Sequence, residues 1–237
     1  MKLNHVAVIP DGNRRWARAK GLEPWLGHQA GAENSVKILE EAKRLEIPYF
    51  TLWIASLDNL VKRPKLEVDF LCSVFADYFS RLSEHPEVHK NKVNVRAYGL
   101  LEGIFPPGVV SAVREAEKRT ASYGDYHLSF LMGYDGRAEM VQAVEKIVAE
   151  ALTANPHPKP VTPEFISEHL WTRDLPPVDR LIRTGTEDSP HLSGGLLMWQ
   201  TAYSQLHFTN TYFPEFTPQE FRKTVENYTE RERRFGA

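Results

Sequence analysis

Short apolar runs alternate along this chain with longer segments in which apolar residues recur every three or four positions. The runs are rich in β-branched and aromatic residues and are bounded by turn residues, a pattern typical of buried strands. They span residues 5–10, 49–54, 93–99, 126–132, 179–184 and 206–209. Because strands that alternate with helices form a mostly parallel sheet covered on both faces, the sequence predicts an α/β fold with a central, mostly parallel six-stranded sheet flanked by helices.

The chain has 237 residues, of which 42% are hydrophobic, and this length is enough to bury one large core. Its clearest loop is TANPHPKPVTPEF at residues 153–165, which contains four prolines. That loop is too short to separate two domains. We therefore expect residues 1–237 to form a single domain.

Two of the helical segments carry one apolar stripe each. In the segment at residues 31–47 the stripe consists of Ala32, Val36, Leu39, Ala42 and Leu45. In the segment at residues 136–152 it consists of Val141, Val144 and Val148.

A third helical segment, at residues 64–82, has an apolar face that is wider than one sheet contact requires. One row on this face consists of Leu66, Phe70, Val74, Tyr78 and Leu82. The neighbouring row consists of Leu71, Phe75 and Phe79. The more usual explanation is a helix buried on two sides. The alternative is that part of the face lines an apolar cavity.

Charge and cysteine content limit the functional classes. The net charge of −2 and the pI of about 6.5 argue against bulk electrostatic binding of nucleic acid. Cys72 is the only cysteine, and it falls within the helical pattern, so we expect a core residue and no thiolate zinc site. No signal-peptide pattern is present, and no apolar run approaches the roughly 20 residues that cross a bilayer. A soluble, cytoplasmic protein is expected.

The first candidate site follows the first strand, where Asp11 is followed by Gly12, Asn13, Arg14 and Arg15. Open α/β sheets bind their ligands at the carboxyl ends of the strands. A glycine there lets the backbone approach a ligand, and arginines suit phosphate oxygens. The alternative is a tight turn in which Asp11 caps the next helix and the arginines are solvated.

Two further strand ends carry polar residues. The second strand is followed by Ser56, Asp58, Asn59 and Arg63, although Asp and Asn are also common in ordinary loops. Arg183 ends the fifth strand and meets a loop rich in glycine and serine, which could be a mere connection. The basic C-terminal RERRFGA could either complement a helix dipole or reach a phosphate.

These polar strand ends and the wide apolar face together indicate a diphosphate ligand with a hydrocarbon tail. The sequence contains no Walker loop, no GxGxxG and no HExxH motif, which disfavours the common NTPase, dehydrogenase and zinc-hydrolase classes. It offers cationic and amide groups for phosphates and one carboxylate for Mg²⁺.

The chain resembles the cis-prenyltransferase family, of which undecaprenyl diphosphate synthase is the familiar member. The resemblance spans nearly the whole chain and follows the family's order of motifs. They are HVAVIPDGNRRWA, GHQAGAENS, SLDNLVKRP, GYDGR, DRLIRTG, WQTAYSQLHFTNTYFPEF and RERRFG. The resemblance implies a homodimer that condenses an allylic prenyl diphosphate with isopentenyl diphosphate, using Mg²⁺, in an apolar tunnel beside the sheet.

The resemblance also implies a role for each matching residue. Asp11 would hold Mg²⁺ and assist departure of the allylic diphosphate, and Asn59 would help to position the attacking alkene and remove its proton. The implied allylic diphosphate ligands and their neighbours are Gly12, Asn13, Arg14, Arg15, Trp16 and His28. Ser56 and Asp58 assist Asn59, and the same motif adds Leu57, Leu60 and Arg63 to the substrate-binding set. The implied second-diphosphate ligands are Arg183 and Ser193, with Arg234 and Gly236 from the partner subunit.

The chain departs from the family pattern at several positions. Many relatives carry an arginine where this chain has Glu23 and Pro24, and Leu60 replaces an aromatic residue. The loop at residues 184–195 is longer, and His191 stands near the place of a diphosphate-binding arginine. Gln205 replaces a metal-binding glutamate, and a neutral amide is a poorer Mg²⁺ ligand. Metal binding and isopentenyl selectivity at the second-substrate side are therefore left open.

The tunnel wall predicts the product length. By the resemblance, Trp53, Ile54 and Ala55 would form this wall, with Ile54 at a position that is small in relatives, and Tyr126 would add bulk near the floor. We expect a short or medium (Z)-polyprenyl diphosphate, released with peripheral membrane contact. Two alternatives stay open: an irregular, lavandulyl-type synthase that joins two allylic units, and a non-catalytic partner subunit.

Overall fold

The computed structural model describes residues 3–153, 160–193 and 195–229, and within them it contains one six-stranded sheet. The strands are β1 (His5–Ile9), β2 (Tyr49–Ser56), β3 (Val93–Tyr98), β4 (Tyr126–Tyr134), β5 (Arg180–Arg183) and β6 (Gln205–Phe208). Their order across the sheet is β3-β4-β2-β1-β5-β6, and each of the five pairings is parallel. The predicted fold class is confirmed, with a sheet that is entirely parallel in the described residues.

The strand register brings the predicted polar strand ends to one edge of the sheet. Ile9 at the end of β1 pairs with Arg183 at the end of β5. β2 lies on the other side of β1, and its last residue, Ser56, pairs with Tyr134 at the end of β4. The segments that follow β1, β2, β4 and β5 therefore leave the sheet at the same edge, as in other open parallel sheets.

Nine α-helices occur within the described residues. They are α1 (Asn13–Ala19), α2 (Pro24–Arg44), α3 (Leu57–Lys62), α4 (Lys65–Glu84), α5 (Pro86–Lys90), α6 (Pro107–Arg119), α7 (Gly136–Thr153), α8 (Pro163–His169) and α9 (Pro218–Thr229). A short 3₁₀ helix spans Phe213–Glu215. α9 begins with a capping box, because the Thr217 hydroxyl accepts the Glu220 N–H while the Glu220 carboxylate accepts the Thr217 N–H.

Alternation along the strands divides the core into two parts. Val6 and Val8 of β1 point to one face of the sheet, where they pack with residues of α2, α4, α6 and α9. Ala7 and Ile9 point to the other face, which is covered mainly by residues 171–197. Cys72 is buried in the first part of the core, as predicted.

α4 combines both explanations of its wide apolar face. Leu71, Phe75 and Phe79 are buried and belong to the core. Val74, Tyr78 and Leu82 of the other row are only half-buried. The second row therefore packs in the core, and Leu71 and Phe75 of this row line a cavity together with Val74 of the first row. Leu66, at the start of that row, is 77% exposed.

The apolar stripe of α7 does not face the core. Val141, Val144 and Val148 are 57%, 54% and 50% exposed, and the buried residues of this helix are Gly136, Glu139 and Ala143. The physical reason is that helical periodicity identifies an apolar stripe without identifying what covers it. The valine stripe of α7 faces outward from the chain.

α2 begins at Pro24, seven residues before the predicted helical segment at residues 31–47, because proline suits the first position of a helix. Its buried face is centred on Ile38 and Ala42, and Val36 of the predicted stripe is 38% exposed. In the part of the chain that the structure describes, no helix is both long and apolar enough to cross a membrane.

Candidate active site

Asp11 lies just beyond the end of β1 and is held there by both main-chain and side-chain contacts. Its backbone N–H donates to the Thr184 hydroxyl at 3.0 Å, and that hydroxyl donates to the Asp11 carbonyl at 2.7 Å. Its carboxylate accepts hydrogen bonds from Arg183 at 2.8 Å and from Arg15 at 3.2 Å. The structure therefore brings the predicted acid and two predicted arginines together.

The arginines keep Asp11 ionised. Burial by itself would raise the pKa of this carboxyl group, but the hydrogen bonds from Arg183 and the Gly12 N–H outweigh burial and lower the pKa below its usual value. The side chain remains 33% exposed. Asp11 is therefore a carboxylate at neutral pH that a ligand can reach.

Glycines allow the close packing around Asp11. Gly12 has a φ of +96°, and a Cβ there would lie 2.5 Å from the Tyr212 ring. A Cβ at Gly27 would lie 2.0 Å from the Asn13 carbonyl oxygen, and one at Gly31 would lie 2.5 Å from the Asn13 side-chain oxygen. The glycines of the GHQAG motif therefore let α2 pack directly against the start of α1.

A polar cavity of about 240 Å³ lies beside Asp11 at the start of α1. Its wall includes four arginines: Arg14, Arg15, Arg18 and Arg63. The first N–H groups of a helix are not used within the helix and favour anions. This cavity, termed here the polar cavity, has the charge and size to hold a phosphate or diphosphate group. Arg18 is a cation that the sequence analysis missed.

Glu67 of α4 organises the cations on one side of the polar cavity. It is only 3% exposed, and its carboxylate lies 3.1 Å from His28 Nε2, 3.4 Å from Arg14 Nε and 3.5 Å from a terminal nitrogen of Arg63. Sequence reasoning missed Glu67. The signal that could have revealed it is its position four residues after Arg63 at the start of a helix.

His28 is uncharged at neutral pH in this environment. Burial is the main cause that lowers its pKa to about 4, and the nearby Arg63 charge lowers it further, against the opposing effect of Glu67. An imidazole that is neutral can accept from Arg63, whose terminal nitrogen lies 3.2 Å from His28 Nε2.

The residues after β2 form the opposite wall of the site. The Ser56 hydroxyl caps α3 by accepting the Asn59 N–H at 3.1 Å. Ser56, Asp58 and Asn59 all line the cavity described next. Leu57 and Leu60 are not among the residues that line it, and Leu60 packs against the core.

A second cavity, of about 350 Å³, begins at the Asp11 carboxylate and continues between α2, α4 and the sheet; it is termed here the upper cavity. It shares Asp11, Asn13, His28 and Arg63 with the polar cavity. Its deeper wall is largely apolar, and includes Ala32, Ile54, Leu71, Val74 and Phe75. The two adjoining cavities therefore suit a ligand with a charged head and a hydrocarbon tail.

A third cavity, of about 590 Å³, lies further along the same two helices, at the amino ends of β2 and β4; it is termed here the lower cavity. Its wall includes Leu39, Phe50, Tyr78, Leu82 and Leu128. The predicted tunnel residues divide between the two cavities. Trp53 and Ile54 line the upper cavity, Tyr126 lines the lower cavity, and Ala55 is buried in the core.

Arg183 links Asp11 to the loop after β5. One terminal nitrogen donates to Asp11, and the other donates to the Ser193 hydroxyl at 2.7 Å and to the His191 carbonyl at 2.8 Å. The His191 ring is exposed, and its Nδ1 is bonded to the Ser189 carbonyl at 2.7 Å. His191 therefore contacts Arg183 through its main chain, and its ring is engaged locally with Ser189.

Two other predicted residues lie apart from the cavities. Trp16 is not among the residues that line them; its ring lies 4.9 Å from the Lys20 ammonium group. Gln205 begins β6 and pairs with Arg180 at the start of β5, whereas Arg183 and Asp11 lie at the other edge of the sheet. Within one chain, Gln205 therefore lies away from Asp11. Arg234 and Gly236 lie outside the described residues.

Asp135 is a further carboxylate at the upper cavity that the sequence analysis did not single out. It follows β4 and caps α7, because its Oδ1 accepts the N–H groups of Arg137 and Ala138 at 2.9 Å and 3.0 Å. It lines the upper cavity together with Arg183 and Ser193. The GYDGR motif therefore contributes a carboxylate as well as a turn.

The residues around Asp11 suit a magnesium ion that is bound jointly by the protein and by substrate phosphates. Among the described residues there is no group of three or more His, Cys, Asp or Glu side chains placed to hold a metal by themselves. Mg²⁺ usually binds through one or two carboxylates plus substrate phosphates and water. Asp11 is an ionised, accessible carboxylate at the junction of the polar and upper cavities, so it suits this mode of binding.

Comparisons with known proteins show the family to which this chain belongs. The sequence model of the undecaprenyl diphosphate synthase family matches residues 9–236. An isoprenyl transferase of Thermus thermophilus is 41% identical over 236 residues, covering 98% of this chain and 88% of the relative. A geranylgeranyl-diphosphate-specific tritrans,polycis-undecaprenyl-diphosphate synthase of Thermococcus kodakarensis is 37% identical over 232 residues, covering 98% of this chain and 86% of the relative.

The fold also matches a solved structure over its whole length. The crystal structure of lavandulyl diphosphate synthase from Lavandula x intermedia, in complex with dimethylallyl diphosphate, superposes with a TM-score of 0.91 at 31% identity and covers 100% of this chain and 99% of that one. The family match and the curated relatives agree. The chain belongs to the undecaprenyl diphosphate synthase family of cis-prenyltransferases, and it is a prenyltransferase enzyme.

Proposed function

We propose that this enzyme condenses an allylic prenyl diphosphate with isopentenyl diphosphate to form a short or medium (Z)-polyprenyl diphosphate. The observation that carries the proposal is the junction of the polar cavity with the apolar upper cavity at Asp11. A diphosphate head would occupy the first cavity and its prenyl tail the second. The relatives named as isoprenyl transferases and undecaprenyl diphosphate synthases support the same reaction class.

In the proposed reaction the allylic C–O bond breaks, a new C–C bond forms to the isopentenyl alkene, and one proton leaves the new chain. Mg²⁺ held by Asp11 would neutralise charge on the departing diphosphate. Arg14, Arg15 and Arg63 would stabilise the same charge as it develops. The half-buried Asn59 on the opposite wall would orient the alkene, and the apolar wall would keep water from the allylic cation.

The second diphosphate would bind at Arg183 and Ser193. Arg183 is 6% exposed and its guanidinium lies between the Asp11 carboxylate and the Ser193 hydroxyl. A planar guanidinium suits a diphosphate, because its paired donors match phosphate oxygens. Arg234 and Gly236 of a partner subunit would complete this half of the site.

Product analysis tests the proposal. Purified protein is incubated with farnesyl diphosphate and labelled isopentenyl diphosphate, with Mg²⁺ or with EDTA, and the products are identified by mass spectrometry. We expect Mg²⁺-dependent (Z)-prenyl chains of fewer than ten isoprene units, because Ile54 narrows the upper cavity. Mainly longer chains would contradict the product length, and turnover of dimethylallyl diphosphate alone would favour the irregular, lavandulyl-type alternative.

We expect the enzyme to be a homodimer that buries the valine stripe of α7. Four apolar side chains on this helix are at least half exposed in the single chain: Val141, Val144, Val148 and Leu152. Contiguous exposed apolar residues of this kind mark interaction surfaces. The double substitution Val144→Glu and Val148→Glu should shift the protein to monomer in light-scattering chromatography. Val161→Glu, at a residue that is 63% exposed elsewhere, is the matched control; equal behaviour of both variants would contradict this interface.

A further inference from the structure

The upper and lower cavities follow one another along the same groove between α2 and α4. On α4, Leu71, Val74 and Phe75 line the upper cavity, whereas Tyr78 and Leu82 line the lower one. On α2, the change from the upper to the lower cavity falls between residues 35 and 36. The cavities are thus consecutive sections of one groove that runs from the carboxyl ends of the strands to their amino ends.

A side-chain bridge crosses the groove where the two sections meet. The Tyr78 hydroxyl donates a hydrogen bond to the carbonyl of Ala32, which lies on α2 and lines the upper cavity. The Arg81 guanidinium also lies over the Tyr78 ring, 5.4 Å from its centroid, and is paired with Asp77. The ring therefore spans the space between the two helices.

The hydrogen bond from Tyr78 to the Ala32 carbonyl persists at neutral pH. Burial raises the pKa of Tyr78 to about 12, so its hydroxyl stays protonated and remains a donor. Ala32 is a half-buried residue, and leaving a buried carbonyl or hydroxyl without its partner is unfavourable. Tyr78 therefore has both a steric and a hydrogen-bonding reason to stay across the groove.

We propose that Tyr78 determines product length by closing the upper cavity against the lower one. This inference rests on the proposed prenyl-chain function. Each condensation adds its new unit at the diphosphate end, so the older end of the chain is pushed away from Asp11 and along the groove. Growth stops when that end meets the Tyr78 ring. The lower cavity, although larger, is not entered until the bridge opens.

Helix geometry gives the scale of the effect. Along this stretch the lining of the lower cavity extends from Tyr78 to His85, and the rise between these two residues is roughly 10 Å at 1.5 Å per residue. With C–C bonds of about 1.5 Å, the four main-chain bonds of an isoprene unit advance roughly 5 Å. Opening the bridge should therefore lengthen the main product by about two isoprene units.

The test compares the product distributions of Tyr78→Ala and Tyr78→Phe with that of the parent enzyme, at equal primer and isopentenyl diphosphate concentrations. We expect Tyr78→Ala to lengthen the main product by about two isoprene units. Tyr78→Phe keeps the ring and loses the bond, so it should give a mixture of parent and longer products. Tyr123→Phe is the control, because it removes a tyrosine hydroxyl that bonds to His89 outside the groove; it should leave product length unchanged.

The variant Tyr126→Ala tests whether product length is determined at Tyr78 or further along the lower cavity. Tyr126 lines the lower cavity beyond the bridge. If Tyr126→Ala alone lengthens the product, or if a folded Tyr78→Ala enzyme keeps the parent distribution, the inference is overturned. Circular dichroism establishes folding, and the Tyr78→Phe variant covers the case in which Tyr78→Ala does not fold. A parent enzyme that forms no prenyl product would instead contradict the proposed function.

Discussion

Replacing Asp11 with alanine is expected to lower kcat by about 10²–10³-fold, the loss typical of removing one group that stabilises developing charge in a preorganised site. The expected loss has two sources. The variant would lack the carboxylate that holds Mg²⁺, and Arg183 and Arg15 would lose the partner that fixes them at 2.8 Å and 3.2 Å. Mispositioned arginines stabilise a leaving diphosphate less well.

The same substitution should leave the fold intact. The Asp11 side chain is one-third exposed, and the two main-chain hydrogen bonds to Thr184 do not need it. Because the pKa of Asp11 is lowered in the folded protein, its stabilising effect is present at neutral pH and is lost only as the pH falls through its own acidic range. The parent and variant should therefore become similar in stability at strongly acidic pH.

Steady-state kinetics with a Mg²⁺ titration, together with thermal denaturation, checks this prediction. Asp69→Ala is the matched control, because Asp69 is an exposed carboxylate that pairs with Lys65 at 2.6 Å and lies outside the three cavities. The control should keep its kcat. An Asp11→Ala enzyme with parental kcat and Mg²⁺ dependence would show that Asp11 holds no metal.

The substitution Glu67→Gln should cost about 3 kcal/mol of unfolding free energy, the loss expected when one partner of a buried ion pair is removed. Glu67 is 3% exposed and lies within 3.5 Å of Arg14 and Arg63. The pKa of Arg63 is already lowered, chiefly by burial, and Glu67 is the charge that counteracts this. Without the carboxylate, two guanidinium groups would repel each other in a largely buried place.

A diphosphate should restore much of the stability lost in Glu67→Gln. The polar cavity lies next to these cations, so a bound diphosphate would supply the missing negative charge, and ligand binding to the folded state raises stability. We expect inorganic diphosphate to raise the melting temperature of Glu67→Gln more than that of the parent. This result would connect Glu67 to the substrate site without relying on activity.

Glu41→Gln is the matched control for this experiment. Glu41 is 2% exposed and pairs with Arg44 and Arg222, which are themselves 68% and 46% exposed. It does not line the polar or upper cavity. Glu41→Gln should lose stability without any additional rescue by diphosphate. Equal rescue of both variants would show that the Glu67 cluster does not face the diphosphate.

The strand pattern could be predicted because parallel strands buried on both faces have a simple signature. Each predicted apolar run overlaps an observed strand, and β1 was predicted to within one residue at its end. The positions of Asp11 and Arg183 at one sheet edge followed from the same reasoning, since all strands of a parallel sheet end at that edge. Short-range sequence information was sufficient for both.

The site residues that escaped prediction depend on contacts between distant segments. Glu67 became recognisable only when α4 was placed beside His28 of α2, 39 residues away. The exposed His191 ring is hydrogen-bonded through Nδ1 to the nearby Ser189 carbonyl, while the His191 carbonyl accepts a hydrogen bond from Arg183. Gln205 aligned with a metal ligand in the family pattern, yet the register of β6 places it at the opposite edge of the sheet.

The sequence by itself determined the order of strands and helices, the strand ends that carry charge, and the family. Only the tertiary structure decided which helix faces are covered. The valine stripe of α7 and the α4 row of Leu71, Phe75 and Phe79 both have helical periodicity, but the first is exposed and the second lies in the core. The physical reason is that the spacing of apolar residues is a property of one helix alone. Burial requires a second element at a defined distance, and so does a cavity such as the groove that Tyr78 crosses between α2 and α4.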